Sequence, residues 1–408
     1  MGLRIFFTLH HPHPSFTRMP FHERPTFPRG YRCASRNVGL KPDAKDLALF
    51  VSEVDATAAA VFTRNHFPGA PIIVGREILP AGGGHLRAIV ANSKCSNVAT
   101  GAAGVENARR MARAAAAEVG TQPDLVLVSS TGVIGVPLPI EKIELGIRGM
   151  RGDLQADPLV GAHGIMTTDT YAKALSVSVG EATITWVAKG SGMIEPNMAT
   201  MLAYIFTDAS IDAPTLDATL RRVVEQSFNM LSVDGDTSTS DTCVIMANGL
   251  AGPVDAAAFE AALLAGCIRM TELLARDGEG AEHLLRTHVR EAATRAEARR
   301  IAKALINSPL VKTMVHGADP NVGRILMAVG KCFECTIDPV RTQAWINGYQ
   351  VVRDGARVAF DDAVVRAALA KEDVDIEVAL GVGAGAATAY GCDLTKGYIE
   401  ENAAYYSS

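Results

Sequence analysis

The stretch KGSGMIEPNMATML, running from Lys189 to Leu202, sets Thr200 behind two glycines and a proline in an otherwise apolar step. On residue type alone Thr200 reads as a β-branched residue entering a strand. Chemistry asks for more than a hydroxyl. A threonine hydroxyl is nearly inert near neutral pH until a base takes its proton, and one solution makes the threonine the first residue of a chain, so that its own α-amine is the base. Such an amine titrates at about 7.7–8.0 and accepts protons under working conditions. An internal Thr200 has no free amine. The chemistry therefore requires a break between Ala199 and Thr200, and a loop shaped by Gly and Pro is a place where the hydroxyl can attack the carbonyl before it.

The elements that must position this threonine can be read from hydrophobic periodicity. Residues 46–62 are apolar and strand-like, and 86–91 and 125–128 are short apolar runs bounded by turn residues, the pattern of buried strands. Residues 107–119 form an alanine-rich helix whose arginines face solvent. Alternation over 175–186, with Gly180-Glu181 at the turn, predicts a β-hairpin that delivers the chain into Lys189-Gly190-Ser191-Gly192. A strand follows over 201–206. Asp212 caps a helix with Pro214 in its first turn, running to about Leu231. A strand over 242–246, helices over 257–275 and 291–306, and a strand over 375–380 complete a compact α+β body without solenoid repeats.

Composition excludes several classes. The chain has 408 residues, 48% hydrophobic and 20% charged, the balance of a globular protein, and at roughly 150 residues per domain it suggests two or three structural units. A net charge of −5 leaves no excess positive charge for nucleic acid. No apolar run approaches the ~20 residues of a membrane span. Seven scattered cysteines fit reduced thiols and a cytoplasmic location. Cys332 and Cys335 form a lone CxxC, without the second pair of a zinc ribbon. Residues 1–26 form an extra tail with prolines and with His10, His11 and His13, expected to be disordered; Met19 offers an alternative start.

Several segments in chain order resemble the ornithine acetyltransferase family, the ArgJ-like glutamate N-acetyltransferases of arginine biosynthesis. Besides KGSGMIEPNMATML these are STGVIG at 130–135, IMTTDT at 165–170, SVDGDTST at 232–239, DGEG at 277–280, NSPLVKT at 307–313 and GCDLT at 391–395. The resemblance spans about residues 28–408. It implies an α-β-β-α sandwich of two stacked sheets, self-processed into an N-terminal chain of residues 27–199 and a C-terminal chain of residues 200–408. Thr200 is then nucleophile and new N-terminus, and Thr131 with Gly132 is the oxyanion pair. Thr167, Lys189, Glu279, Asn402 and Ser407 match substrate-binding positions, with Thr168 the alternative to Thr167. Lys189 suits a substrate carboxylate and Glu279 an ammonium. Taken singly, each is more often a solvated charge, and Thr131-Gly132 is also simply a turn after a strand.

The implied reaction is ping-pong transfer of acetyl from N2-acetylornithine to glutamate through acetyl-Thr200, with no metal or organic cofactor and with acetyl-CoA as an alternative donor. The implied assembly is a heterotetramer or larger, built from the chain's own two fragments, with no nucleic-acid or membrane partner. Three positions depart from the family pattern: Glu195 stands where His is usual, Val322 where Trp is common, and Ser407 where Thr is usual. Glu195 resembles a paralogue associated with clavulanic acid biosynthesis, so an acetyltransferase of specialised metabolism is a second reading. A self-processing threonine amidohydrolase or aminopeptidase is a third. A fourth, a nucleotide-binding protein built around GVGAG at 381–385, lacks the final glycine spacing of a dinucleotide loop and any GK[ST] loop.

Overall fold

The computed structural model describes residues 19–195 and 201–403. The chain divides into two compact units, one built on residues 20–279 and the other on residues 280–399.

The first unit begins with β1 (Tyr31–Arg36) and the long β2 (Leu47–Phe62), followed by α1 (Ala70–Ala81), β3 (His85–Asn92), α2 (Gly101–Val119) and β4 (Val126–Ser130). Two short helices, α3 (Ile140–Ile147) and α4 (Pro158–Ile165), lead into a hairpin of β5 (Lys173–Val179) and β6 (Ala182–Lys189). Then come β7 (Leu202–Ser210), α5 (Ala213–Gln226), the two-residue β8 (Leu231–Ser232), β9 (Thr242–Pro253) and α6 (Ala256–Arg276). The strands join in the order β4-β3-β2-β9-β7-β6-β5, with β1 added on β2.

Successive residues of a strand face opposite sides of the sheet, and β6 shows both. Val187 joins a core with Phe50, Tyr204, Phe206 and the buried stripe Ala108, Met111 and Ala115 of α2. Its neighbour Trp186 turns the other way onto α6, where its indole N–H donates to the Cys267 sulfur at 3.3 Å. The arginines of α2 face outward as expected and pair with Glu77, Glu144 and Glu106.

The second unit comprises β10 (Leu284–Ala292), α7 (Arg295–Ile306), α8 (Pro309–His316), α9 (Gly323–Gly330), β11 (Gln343–Ile346), β12 (Tyr349–Arg353), β13 (Ala356–Arg357), α10 (Asp362–Leu369), β14 (Asp373–Ala379) and β15 (Gly385–Cys392). Its strands run β13-β12-β11-β14-β10-β15, with β10 and β14 parallel. A last helix, α11 (Lys396–Ala403), starts in this unit and ends in the first.

Mixed helix and two sheets is the α+β content expected. Several boundaries move. The alanine-rich helix starts at Gly101, six residues before 107, because small residues continue its spacing. The helix capped by Asp212 stops at Gln226 rather than near Leu231, which lies in β8. The helix expected over 291–306 begins only at Arg295, after its Thr294 cap; Glu291 and Ala292 finish β10. The tail excluded up to residue 26 is already packed by Phe21. Its ring lies edge-on to Trp186 at 6.4 Å, and the His22 ring bonds the Ser176 and Ser178 hydroxyls at 2.9 Å. His10, His11 and His13 lie outside the described residues.

Candidate active site

Three segments of the 20–279 unit converge on the end of β6. The first leaves β4 at Ser130 and passes through Thr131 and Gly132. Thr131 donates its backbone N–H to Asn92 O at 3.0 Å, and the next N–H but one, that of Val133, goes to Lys94 O at 3.0 Å. Gly132 between them has φ +126°, and a Cβ there would sit 2.2 Å from the Lys94 carbonyl carbon, so only glycine fits. Among the described residues no acceptor takes the Gly132 N–H. A turn holds a backbone donor in a polar cleft beside a hydroxyl, which is what an oxyanion site requires.

The second segment follows α4, which packs on β1, β2 and β6 and releases the chain as Met166-Thr167-Thr168. The buried Lys189 ammonium, at the end of β6, donates to the Thr167 hydroxyl at 2.9 Å and to the Thr131 hydroxyl at 3.1 Å. Burial pushes its pKa down; the Asp169 carboxylate opposes that most strongly, the Lys173 charge adds to the lowering, and Glu279 and Asp241 raise it.

The third segment is the end of α6. Asp277 caps the helix and Glu279 follows, its backbone N–H bound to Ser191 O at 3.0 Å. The Glu279 carboxylate accepts from the Thr168 hydroxyl at 2.8 Å and from the Asn402 side chain at 2.7 Å, and Thr168 also meets the Ser191 hydroxyl at 2.5 Å. Gly192 makes room for this carboxylate, since a Cβ there would lie 2.2 Å from its oxygen.

Together these groups line one cleft, partly open to solvent. Thr131, Gly132, Thr167, Lys189, Glu279 and Asn402, all named from the sequence, line it, as does Thr168. So does Met201, the residue after Thr200, whose carbonyl accepts the Thr242 N–H at 3.0 Å. Ala199, Thr200 and Ser407 lie outside the described residues.

Sequence reasoning missed Ser191 and the carboxylates behind the site, Asp169 and Asp277. Both carboxylates sit inside quoted family segments, which was their only signal. It also missed Asp234, which accepts the N–H groups of Met193 and Ile194 at 2.7 and 2.9 Å and so fixes the chain just ahead of residue 196.

In the other unit, among the described residues, Glu282, His283 and Asp393 carry metal-ligating atoms close together. Asp393 there accepts the backbone N–H groups of Glu282 and His283 at 2.9 and 3.0 Å, with the His283 and His316 rings at 3.1 and 3.3 Å. These contacts join the cluster as one hydrogen-bonded network around Asp393. Cys335 donates its N–H to Cys332 O in a tight turn, and burial pushes both thiols up. The GVGAG stretch is structural: Glu291 O takes the Val382 and Gly383 N–H groups, and a Cβ at Gly385 would lie 2.3 Å from the Thr294 backbone. It leads into β15 rather than a helix, so the nucleotide-loop reading fails.

The model of the ArgJ family matches residues 32–407. Arginine biosynthesis bifunctional protein ArgJ 2 of Clostridium acetobutylicum is 44% identical over 381 residues, 93% of this chain and 97% of its own. Glutamate N-acetyltransferase Oat2 of Streptomyces clavuligerus is 43% identical over 390 residues, 93% of this chain and 98% of its own. Among solved structures, the ornithine acetyltransferase of Mycobacterium tuberculosis complexed with ornithine shares 36% identity, covering 44% of this chain and 98% of that one at a TM-score of 0.42. The class these matches define is that of enzymes, acyltransferases. The chain belongs to the ArgJ family of arginine biosynthesis. No helix among its described residues is long and apolar enough to cross a membrane.

Proposed function

We propose that this chain cuts itself between Ala199 and Thr200 and then works as a glutamate N-acetyltransferase with N2-acetylornithine as donor. The observation that carries the reading is one cleft lined by the Thr131 hydroxyl, Gly132, the Lys189 ammonium and the Glu279 carboxylate, and bounded by Met201. Met201 is the residue that follows Thr200 in the chain.

In the proposed mechanism the Thr200 hydroxyl attacks the acetyl carbonyl of acetylornithine while the Thr200 α-amine takes its proton. The Gly132 N–H and the Thr131 hydroxyl receive the oxyanion. The C–N bond breaks, the amine returns the proton to the departing nitrogen, and ornithine leaves an acetyl ester on Thr200. The neutral amine of glutamate then attacks that ester, giving N-acetylglutamate and the free hydroxyl. Lys189 pairs with the substrate carboxylate, while Glu279, oriented by Asn402 and Thr168, pairs with the side-chain ammonium of ornithine. By resemblance Ser407 completes the substrate site. The mechanism calls on no metal or organic cofactor.

Intact-mass analysis of wild type beside Thr200→Ala tests this. Wild type is expected to give two fragments meeting at Ala199/Thr200, and the variant one unbroken, inactive chain. Active wild type with that peptide bond whole would end the proposal. Acetyl release to water without transfer to glutamate would make the enzyme a hydrolase instead.

A further inference from the structure

Behind the cleft lies a set of charges that the proposed mechanism leaves unused. The Lys173 ammonium donates to Asp169 at 2.7 Å and to Asp277, and the three side chains are 0%, 0% and 1% exposed. Each carboxylate then reaches a different segment of the site. Asp169 accepts the Gly190 N–H at 2.7 Å and the Thr167 N–H at 2.9 Å. Asp277 accepts the Thr170 N–H at 3.1 Å and the Thr170 hydroxyl, and it stands two residues before Glu279. One ammonium thus ties together the loop after α4, the end of β6 and the end of α6.

Stability alone does not account for such a triad, because well-packed apolar residues of the same volume often serve as well as buried ion pairs or better. Its geometry does. We infer that Lys173, Asp169 and Asp277 form the positioning device of the amino-acid site, holding Thr167, Lys189 and Glu279 at fixed separations and keeping an anion beside Lys189. The inference rests on the reading that Lys189 receives the substrate carboxylate.

The triad carries one positive and two negative charges, and Lys189 brings the group of four to neutrality. Burial pushes the Lys189 ammonium toward losing its proton. Asp169, Glu279 and Asp241 resist that loss, while Lys173 favours it. Lys41, whose ammonium donates to Met166 O at 2.6 Å, is coupled to Lys189 by charge, and burial above all pulls its own pKa down to about 8. Removing Asp169 and removing Lys173 therefore have opposite consequences for Lys189, which loss of packing by itself would not produce.

The experiment is the pH profile of kcat/KM for acetyl transfer from N2-acetylornithine to glutamate by the full, self-processed protein. Asp169→Asn keeps the size of the side chain and is expected to move the alkaline limb to lower pH by about one unit, raising KM more than it lowers kcat. Lys173→Met is expected to move that limb to higher pH. Arg221→Ala, which breaks an exposed pair with Asp217, is the control and leaves the profile in place. A folded Asp169→Asn protein with the wild-type alkaline limb, or limbs displaced the same way in both variants, overturns the inference. Should Lys173→Met not fold, the direction in Asp169→Asn decides alone. Lys189→Met separates the two levels: an unchanged KM sinks the carboxylate reading itself, whereas a raised KM with an unmoved Asp169→Asn limb sinks only the positioning role.

Discussion

The sheets of the two units carry their charges differently. In the 280–399 unit, Arg286 on β10 reaches Asp373 and Asp375 on the adjacent β14, with acid side chains 43% exposed, and Arg290 reaches Glu377 in the same way. These are cross-strand pairs that keep partial access to solvent, from 16% at Arg286 to 43% at the two aspartates. Where that unit does bury an ammonium, at Lys312, one of its donors goes to the Cys392 carbonyl at 2.6 Å and joins α8 to the end of β15. In the 20–279 unit the buried ammonium of Lys189 spends two of its three donors on hydroxyls that line an open cleft, and a second buried ammonium, Lys173, stands behind it on two carboxylates. The two units thus differ in where a buried ammonium sends its donors, to a strand-end carbonyl in one and to hydroxyls lining a cleft in the other.

The comparison breaks most sharply at Thr131. Valine is nearly the same shape and removes only the hydroxyl, so Thr131→Val is expected to lower kcat by ~10²–10³ with a smaller change in KM, as loss of one oxyanion donor does. Steady-state rates at saturating acetylornithine check this. A KM effect with kcat intact would mean that the hydroxyl serves Lys189 rather than the reacting carbonyl.

Much of this arrangement was legible in the sequence, for physical reasons that differ from part to part. The hairpin of β5 and β6 declares itself through alternation and a Gly-Glu turn, and the α5 cap through Asp212 and Pro214, because these signals are local. Thr131, Gly132, Thr167, Lys189, Glu279 and Asn402 came from the family resemblance at positions far apart in the chain, and the fold brings them to one cleft. What stayed hidden is non-local pairing. Lys173 and Asp277 lie 104 residues apart and look like ordinary surface charges until the sheet and α6 enclose them. The helix expected from residue 291 starts too early for a related reason: β10 ends and α7 begins within three residues, and a window covering both reads as one periodic run.

Acid sharpens the comparison at a smaller scale. Burial would raise the Asp169 carboxyl, but Lys189, Lys173 and the Gly190 N–H outweigh it and hold the group to about 2. Burial likewise opposes, and His288 and Arg286 override it, at Asp375, also about 2. A carboxyl depressed in the folded state stabilises above its unfolded pKa, about 3.9, and that stability is lost as pH falls through the folded value. Both groups therefore act in the window from about pH 4 to about pH 2. Asp169→Asn is expected to flatten the fall in folding stability across that window by the order of 2 kcal/mol. Asp375→Asn should flatten it less, because solvent screens the more exposed group. Urea titrations at stepped pH read both slopes, and equal flattening would show that burial is not what separates the two units.

The smallest effect belongs to the exposed pair Arg300–Glu334 of the 280–399 unit, 54% and 79% exposed despite an N–O distance of 2.5 Å. Two long side chains held in one geometry lose rotamer freedom, water competes for both partners, and salt screens what is left. A double-mutant cycle with Arg300→Ala and Glu334→Ala is expected to give a coupling of ~0.5 kcal/mol or less, falling further as salt is raised. Distance alone would rank this contact with the Lys173–Asp169 pair at 2.7 Å. A coupling above about 1.5 kcal/mol that persists in high salt would mean that contact geometry, rather than exclusion of water, sets the strength of ion pairs in this protein, and the contrast drawn between the two sheets would lose its basis.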